Sequence, residues 1–470
     1  MNLSRTRAAT SLAAALTVLT ALALLAGGCT ATLSGVRGTP GAAGLRDPYF
    51  PKLGNGGYDV GHYALTLAYD PRTGRLDGTA EITARAGQDL SAFNLDLAGL
   101  TVGRASVDGE PAAVNRAGNE LTLRPREEIR EGAEFRTTVT YTGVPEAITD
   151  ADGTREGWLR TDDGAVAVGQ PVGSMSWFPG NHHPSDKAAY EITLTVPAGV
   201  EAVSNGVRTA RRAAPDGRVT SVWQAPEPMA SYLATVAIGR FKTDTATALG
   251  SVPVLTAADP EVAAGSAALL DEIPKILDRQ TRRFGPYPFT AAGAVVTEDG
   301  TLGYALETQT RPVFPAASFD RTTLVHELAH QWFGNSVTPE TWRDLWLNEG
   351  FATYAEWLYA EEYGGVPART SFARAFAQEI NWTFPPADPP SAANLFDPPV
   401  YQRGAMVVHK LRETVGDEVF GEILRGWPAK YRHANASTAD FTAYAEAVAG
   451  RDLDGLWKVW LYGDGKPDRP

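Results

Sequence analysis

Through the first half of the chain, apolar side chains recur at every second position. Leu65, Leu67 and Tyr69 alternate with polar or small neighbours. So do Ala80, Ile82 and Ala84, then Phe93, Leu95 and Leu97, and later Tyr190, Ile192, Leu194 and Val196. A period of two places such residues on one face of a strand. Asp108-Gly109, Asn205-Gly206 and Asp216-Gly217 are hairpin signals, because those turns need residues that tolerate positive φ. No stretch of helical period competes, so residues 47–245 are predicted to form an all-β domain. The pattern changes after Phe241. Residues 261–283 have the spacing of an amphipathic helix interrupted at Pro274, and Ala294-Val295-Val296 reads as a short strand. The Pro-rich run 385–399 predicts a loop, and Tyr401 opens a helix through Leu411. Residues 246–470 are therefore expected to form a second, mainly helical domain, making the chain a multidomain α+β protein.

The amino terminus follows neither pattern. Arg5 and Arg7 precede an apolar run from Leu12 to Leu25 that is short for a membrane-spanning helix. Residues 1–28 thus read as a secretory signal. The sequence Leu25-Ala26-Gly27-Gly28-Cys29 resembles a bacterial lipobox, with Ala26 where that pattern has Leu. Cys29 is the only cysteine, which excludes an intramolecular disulfide and makes it the expected site of lipidation. Residues 29–46 are small and poorly patterned, and are read as a flexible tether to a membrane surface. The expected location is the extracellular face of a bacterial cell membrane, or the medium if no lipid is attached. A net charge of −13 argues against a nucleic-acid partner.

The densest chemistry lies between Thr322 and Trp357. His326-Glu327-Leu328-Ala329-His330 places two imidazoles four residues apart, on one helix face, where both can reach one metal ion. Glu327 lies close to that face and can act on metal-activated water. A zinc hydrolase needs a third protein ligand and one open position. Glu349 is the natural third ligand. Thr341 can cap a second helix that carries Trp342, Trp346 and Glu349 back toward the ion. Asp344 and Glu356 are candidate partners of the ligating histidines. The adjacent His182 and His183 are read as a surface loop pair and not as a joint site, and His409 as an ordinary helix residue.

The text HELAHQWFGN and WLNEGFATYAE, with the spacing His-Glu-x-x-His-x18-Glu, resembles the aminopeptidase N family of zinc metallopeptidases, the gluzincin group. That resemblance implies a saddle-like β domain followed by a thermolysin-like, mainly helical catalytic domain. It implies one Zn2+ per chain on His326, His330 and Glu349, with Glu327 as general base. Tyr401-Gln402-Arg403-Gly404-Ala405 resembles the family's Y-x-x-G-A, whose Tyr donates to the oxyanion, which points to Tyr401. Gly303-Tyr304-Ala305-Leu306-Glu307-Thr308 stands in place of G-x-M-E-N, so Glu307 is expected to hold the substrate's amino terminus. In the segment matched at Phe178-Pro179, Pro184 and Lys187-Ala188, Gln170, counted back from Phe178, aligns with a second residue beside that terminus. The implied partners are peptides with a free amino terminus and, through the lipid, a membrane surface. Three other readings remain open: a thermolysin-type endopeptidase, an epoxide hydrolase like leukotriene hydrolase, and a catalytically inactive surface peptide-binding protein.

Overall fold

The computed structural model describes residues 36–468. The signal segment and Cys29 lie outside the described residues. No helix among the described residues is long and apolar enough to cross a membrane.

The first domain is built from strands. Its largest sheet has eight, in the order Val207–Ala213, Arg218–Ala230, Lys187–Pro197, Tyr58–Asp70, Arg75–Ala86, Glu134–Gly143, Thr101–Val107 and Glu110–Pro111. The alternating residues read from the sequence face its core: Leu65, Leu67, Tyr69, Ala80, Ile82, Ile192 and Leu194 are all buried. A five-stranded and a four-stranded sheet complete the domain. Leu90–Asp96 is buried on nearly every residue, because both of its faces are covered. Asp108 and Gly109 both adopt positive φ, as their turn requires. Asn205-Gly206 is a correction. It does not close a hairpin but carries the chain from the five-stranded to the eight-stranded sheet. The Asn205 side chain stitches that crossing to the carbonyls of Leu233 and Gln309.

The second domain opens on a four-stranded sheet, Lys242–Ala248, Val252–Ala258, Ala292–Thr297 and Val313–Pro315. Its first strand straddles the expected boundary at 245, so the change of domain falls just after Phe241. The longer helices of this domain are α1 (Ala263–Leu270), α2 (Ile273–Phe284), α3 (Arg321–Ala329), α4 (Trp346–Tyr363), α5 (Ala368–Ala377), α6 (Gly404–Val415), α7 (Asp417–Lys430) and α8 (Thr438–Ala449). Pro274 does not interrupt one helix. It stands in the first turn of α2, where its missing N–H costs nothing.

Two further expectations fail, the flexible tether and the surface histidine pair. Thr39–Pro40 pairs with Leu90–Asp96, so the later part of the expected tether is held on a sheet. Asp47 is then buried and accepts the N–H groups of Tyr49, Phe50 and Trp342. Its Oδ2 also lies 3.4 Å from His183 Nε2. His182 is equally buried, between Ser231 Oγ and the carbonyl of Phe178. Both histidines are therefore buried structural residues and not a surface pair. A short-range pattern of small and polar residues could not show these partners, which come from distant segments: Ser231 for His182 and Asp47 for His183. Asp47 joins the amino-terminal segment, the β domain and the catalytic domain at one carboxylate. Asp47→Ala should leave buried donors without an acceptor and cost about 2–4 kcal/mol, read as a lower midpoint in urea unfolding.

Candidate active site

Asp320 caps α3 by accepting the Thr323 N–H at 2.9 Å. His326 and His330 project from one face of this helix, both buried. The return turn is fixed by Asp344, whose Oδ2 accepts the Thr341 N–H and hydroxyl. Its Oδ1 accepts the Thr438 N–H and hydroxyl at 2.8 and 2.7 Å. Asp344 thus builds the turn and is not a partner of the histidines. α4 then runs back beside α3, with Glu349 in its first turn, where the helix dipole favours a carboxylate by about 0.3–1 kcal/mol.

Glu349 Oε2 lies 3.3 Å from Nε2 of both His326 and His330. Each imidazole is fixed from behind. His326 Nδ1 meets Glu356 Oε1 at 2.6 Å, and His330 Nδ1 meets the Phe333 carbonyl at 2.9 Å. Those acceptors place the proton on Nδ1 and turn the Nε2 lone pair inward. Three buried donor atoms therefore converge within 4.8 Å of one another, two imidazole nitrogens and one carboxylate oxygen, a set that suits zinc. The electrostatics agree. Burial disfavours charge on His330, yet the carboxylates of Glu349 and Glu307 outweigh it and hold its pKa at about 9. Burial raises the Glu349 carboxyl, but His330 and His326 bring it down to about 2. The pocket stabilises positive charge at the point where these atoms meet.

Glu327 is buried, and its Oε2 has no hydrogen-bond partner among the described residues. Burial chiefly pushes its pKa up to about 8, against the pull of the two imidazoles. Glu307, Glu327 and His330 also cluster within 4.8 Å, which sets Glu307 beside the reacting centre. Glu307 Oε1 accepts from Gln170 Nε2 at 3.0 Å, a contact between the two domains. The Glu307 backbone is held beyond the far end of α3, where Asn335 Nδ2 donates to its carbonyl at 2.7 Å. Burial raises the Glu307 pKa against the pull of the His330 and His326 imidazoles, and a cation brought beside it would favour its charged form further.

Tyr401 sits in a single π-helical turn, Pro399–Arg403, that leads into α6. Its ring lies near parallel to that of His326, with centroids 6.2 Å apart. Burial and then the charges of Glu349, Glu307 and Glu327 keep its phenol protonated, the donor form. Two glycines allow this approach: a Cβ on Gly350 would come within 2.8 Å of Gly404 backbone, so α4 and α6 can cross at contact. Arg403, fully buried, donates to the carbonyls of Trp460 and Phe384 and so ties down the start of the Pro-rich loop.

The metal-binding, catalytic and substrate-facing side chains line one cavity of about 810 Å³, within the range of small-molecule sites. The structure thus brings His326, Glu327, His330, Glu349, Glu307, Gln170 and Tyr401 together. Sequence reasoning missed the Phe333 carbonyl, since a backbone acceptor carries no residue signature. It also missed Glu156, a buried carboxylate in the cavity wall that no motif marks.

His330→Ala should abolish metal binding and activity together, checked by metal content after dialysis. Glu356→Ala should only weaken metal affinity, about 10–100-fold, in competition with a chelator.

Comparison with known proteins agrees with this geometry. Residues 60–233 match the Peptidase M1 N-terminal domain and residues 316–460 the Peptidase family M1 domain. Aminopeptidase M1-A of Oryza sativa subsp. japonica is 31% identical over 330 residues, 64% of this chain and 37% of that protein. Aminopeptidase M1-C of the same organism is 30% identical over 445 residues, 86% of this chain and 49% of that protein. The chain thus spans half or less of the length of these curated relatives. An M1 zinc metallopeptidase from Deinococcus radiodurans superposes with a TM-score of 0.85 at 31% identity, covering 91% of this chain and 98% of that one. A mutant of the Deinococcus enzyme, bound to the substrate Tyr-Ser-Ala, superposes with a TM-score of 0.84, also at 31% identity, covering 91% of this chain and 99% of that one. With a β domain, a helical domain and a His-Glu-His-Glu centre on the latter, this chain belongs to peptidase family M1, the zinc metallopeptidases.

Proposed function

We propose that this protein is a zinc-dependent aminopeptidase that removes single residues from the amino terminus of peptides. The observation that carries the reading is Glu307, a buried carboxylate oriented by Gln170 and clustered with the general base and a metal ligand. The Tyr-Ser-Ala bound to the Deinococcus mutant supports peptides as the substrate class. Zinc on His326, His330 and Glu349 would supply a Lewis acid for the scissile carbonyl and lower the pKa of a coordinated water.

The rest of the chemistry belongs to the chain. Glu307 binds the substrate ammonium, and Gln170 holds Glu307 in place. This contact measures one residue from the amino end and sets the first peptide bond beside Glu327. Glu327 takes the proton of the attacking water with its free Oε2 and delivers it to the leaving amine. Tyr401 donates its O–H to the carbonyl oxygen as negative charge develops there. A preorganised donor of this kind is most effective in a site closed to water.

We propose further that Cys29 bears lipid and holds the enzyme at the outer face of the cell membrane. The lipobox-like run before this sole cysteine supports the reading.

Glu307→Ala should lower kcat/KM about ten- to a hundredfold, since a charge-assisted hydrogen bond contributes roughly 1.5–3 kcal/mol. Zinc content should not change. The comparison that decides is free against N-acetylated peptide: equal cleavage of both by the wild type would make the enzyme an endopeptidase. For the anchor, Cys29→Ser should move the protein from the detergent phase to the aqueous phase in a partition assay, and no movement would remove the lipid from the account.

A further inference from the structure

A second cavity, of about 470 Å³, adjoins the active site, and Thr322 and Glu356 border both. It lies between α2, the first turn of α3 and the outer part of α4. Its charge is opposite to that of the active-site cavity. Lys275, Arg279 and Arg321 line it, against two carboxylates, Glu272 and Glu356. Both carboxylates are engaged. Glu272 forms a two-point ion pair with Arg321, and Glu356 faces His326. Lys275 has no ion-pair partner among the described residues. Arg279 forms no direct ion pair among them either, although both cations lie near enough to Glu272 to lower its pKa. Its guanidinium donates to the Tyr359 hydroxyl at 2.6 Å and packs over the Tyr363 ring at 3.5 Å, which holds it in one orientation. In a chain with a net charge of −13, this is a local excess of positive charge at the mouth of a cleft.

The direction of the cleft says what could reach it. α3 carries His326, and His330 caps its far end. Glu307 is held at the His330 end, through Asn335 and Gln331. Thr322 lies at the opposite end, one turn before His326. At 1.5 Å per residue, Thr322 and His326 are separated by about 6 Å along the axis, the span of roughly two extended peptide residues. A peptide held by its ammonium at Glu307, with its first bond beside His326 and Tyr401, therefore leads its downstream residues past Thr322 into this groove.

We infer that this groove, through Lys275 and Arg279, binds a carboxylate two or three residues beyond the cleaved bond. This makes short peptides, with a negative charge near their carboxyl end, the favoured substrate class. The inference rests on the aminopeptidase reading and deepens it. The carboxylate can be the terminal one of a tri- or tetrapeptide or an acidic side chain at the same place.

The test compares three tetrapeptides: Ala-Ala-Ala-Ala as free acid, the same peptide amidated, and amidated Ala-Ala-Ala-Glu. Within one enzyme preparation, ratios of kcat/KM cancel differences in folded fraction. The wild type should prefer the free acid over its amide by about three- to fivefold, the scale of an exposed charge pair. The preference should shrink as salt is added. Lys275→Glu should bring the ratio to one or below, and Arg279→Gln should reduce it. Recovery of the preference by the amidated Glu peptide assigns the groove to carboxylates in general, and no recovery assigns it to the terminal carboxylate. Equal cleavage of acid and amide by the wild type, or a ratio unmoved by Lys275→Glu, overturns the groove while the aminopeptidase reading stands. Cleavage of none of these free-amino peptides overturns that reading itself.

Discussion

The site depends on placing one buried carboxylate, Glu349, against two imidazoles. An isolated buried charge is costly, and a helix would not carry one inward without compensation. Here the compensation is geometric: Glu349 Oε2 is 3.3 Å from both Nε2 atoms. That coincidence requires α3 and α4 to return on each other with little freedom, so most of the surrounding structure serves the turn between them. Asp344 closes the turn on Thr341 and ties it to α8 through Thr438. Trp342 and Trp346 fill the space beneath, both fully buried. Lys187 reaches from the β domain to the carbonyls of Asn335 and Ser336, at 3.0 and 2.9 Å, so the turn is also pinned from across the domain seam.

What could be read in the sequence was whatever depends on short separations. The strand Lys187–Pro197, with Tyr190, Ile192, Leu194 and Val196 turned to the core, follows from local alternation. So does the i, i+4 placement of His326 and His330. Thr341 as the start of the return turn was legible for the same reason, since a cap and its partner lie three residues apart. Contacts between distant segments were not legible. The partner of His326 is Glu356, thirty residues on, and only the crossing of α3 and α4 distinguishes it from Asp344. Asp47 and His183 belong to segments where sequence pattern gave no sign of burial. Asp47 meets the catalytic domain at Trp342, and His183 lies against Asp47.

Neither domain holds the whole site. The metal-binding donors, Glu327 and Tyr401 come from the helical domain, while Gln170 comes from the β domain and touches Glu307. Asn205, Tyr232 and Lys187 also reach across, to Gln309, to Gly334 and to the α3–α4 turn. The seam is therefore part of the active site, and one continuous apolar core runs through both domains. A relative movement of the domains would displace Gln170 from Glu307 before it disturbed the histidines. The Gln170–Glu307 contact is more sensitive to the seam than the metal-binding triad is.

The charge of the cleft has the same logic as its shape. Carboxylates crowd the end that receives an ammonium: Glu307 and Glu156 are buried there, and Asp150 and Asp152 stand at the rim. Like charges brought together out of water oppose one another, and burial with the neighbouring Asp150 raises the Glu156 pKa well above the usual carboxylate range. Such a grouping is relieved when a cation enters. At the other end of α3 the signs reverse, with Lys275, Arg279 and Arg321 gathered around the carboxylate of Glu272. A peptide with free termini carries the complementary charges, positive first and negative last. On the proposed aminopeptidase reading, its dipole and that of the cleft align in only one direction, and that direction sets the first peptide bond toward Glu327.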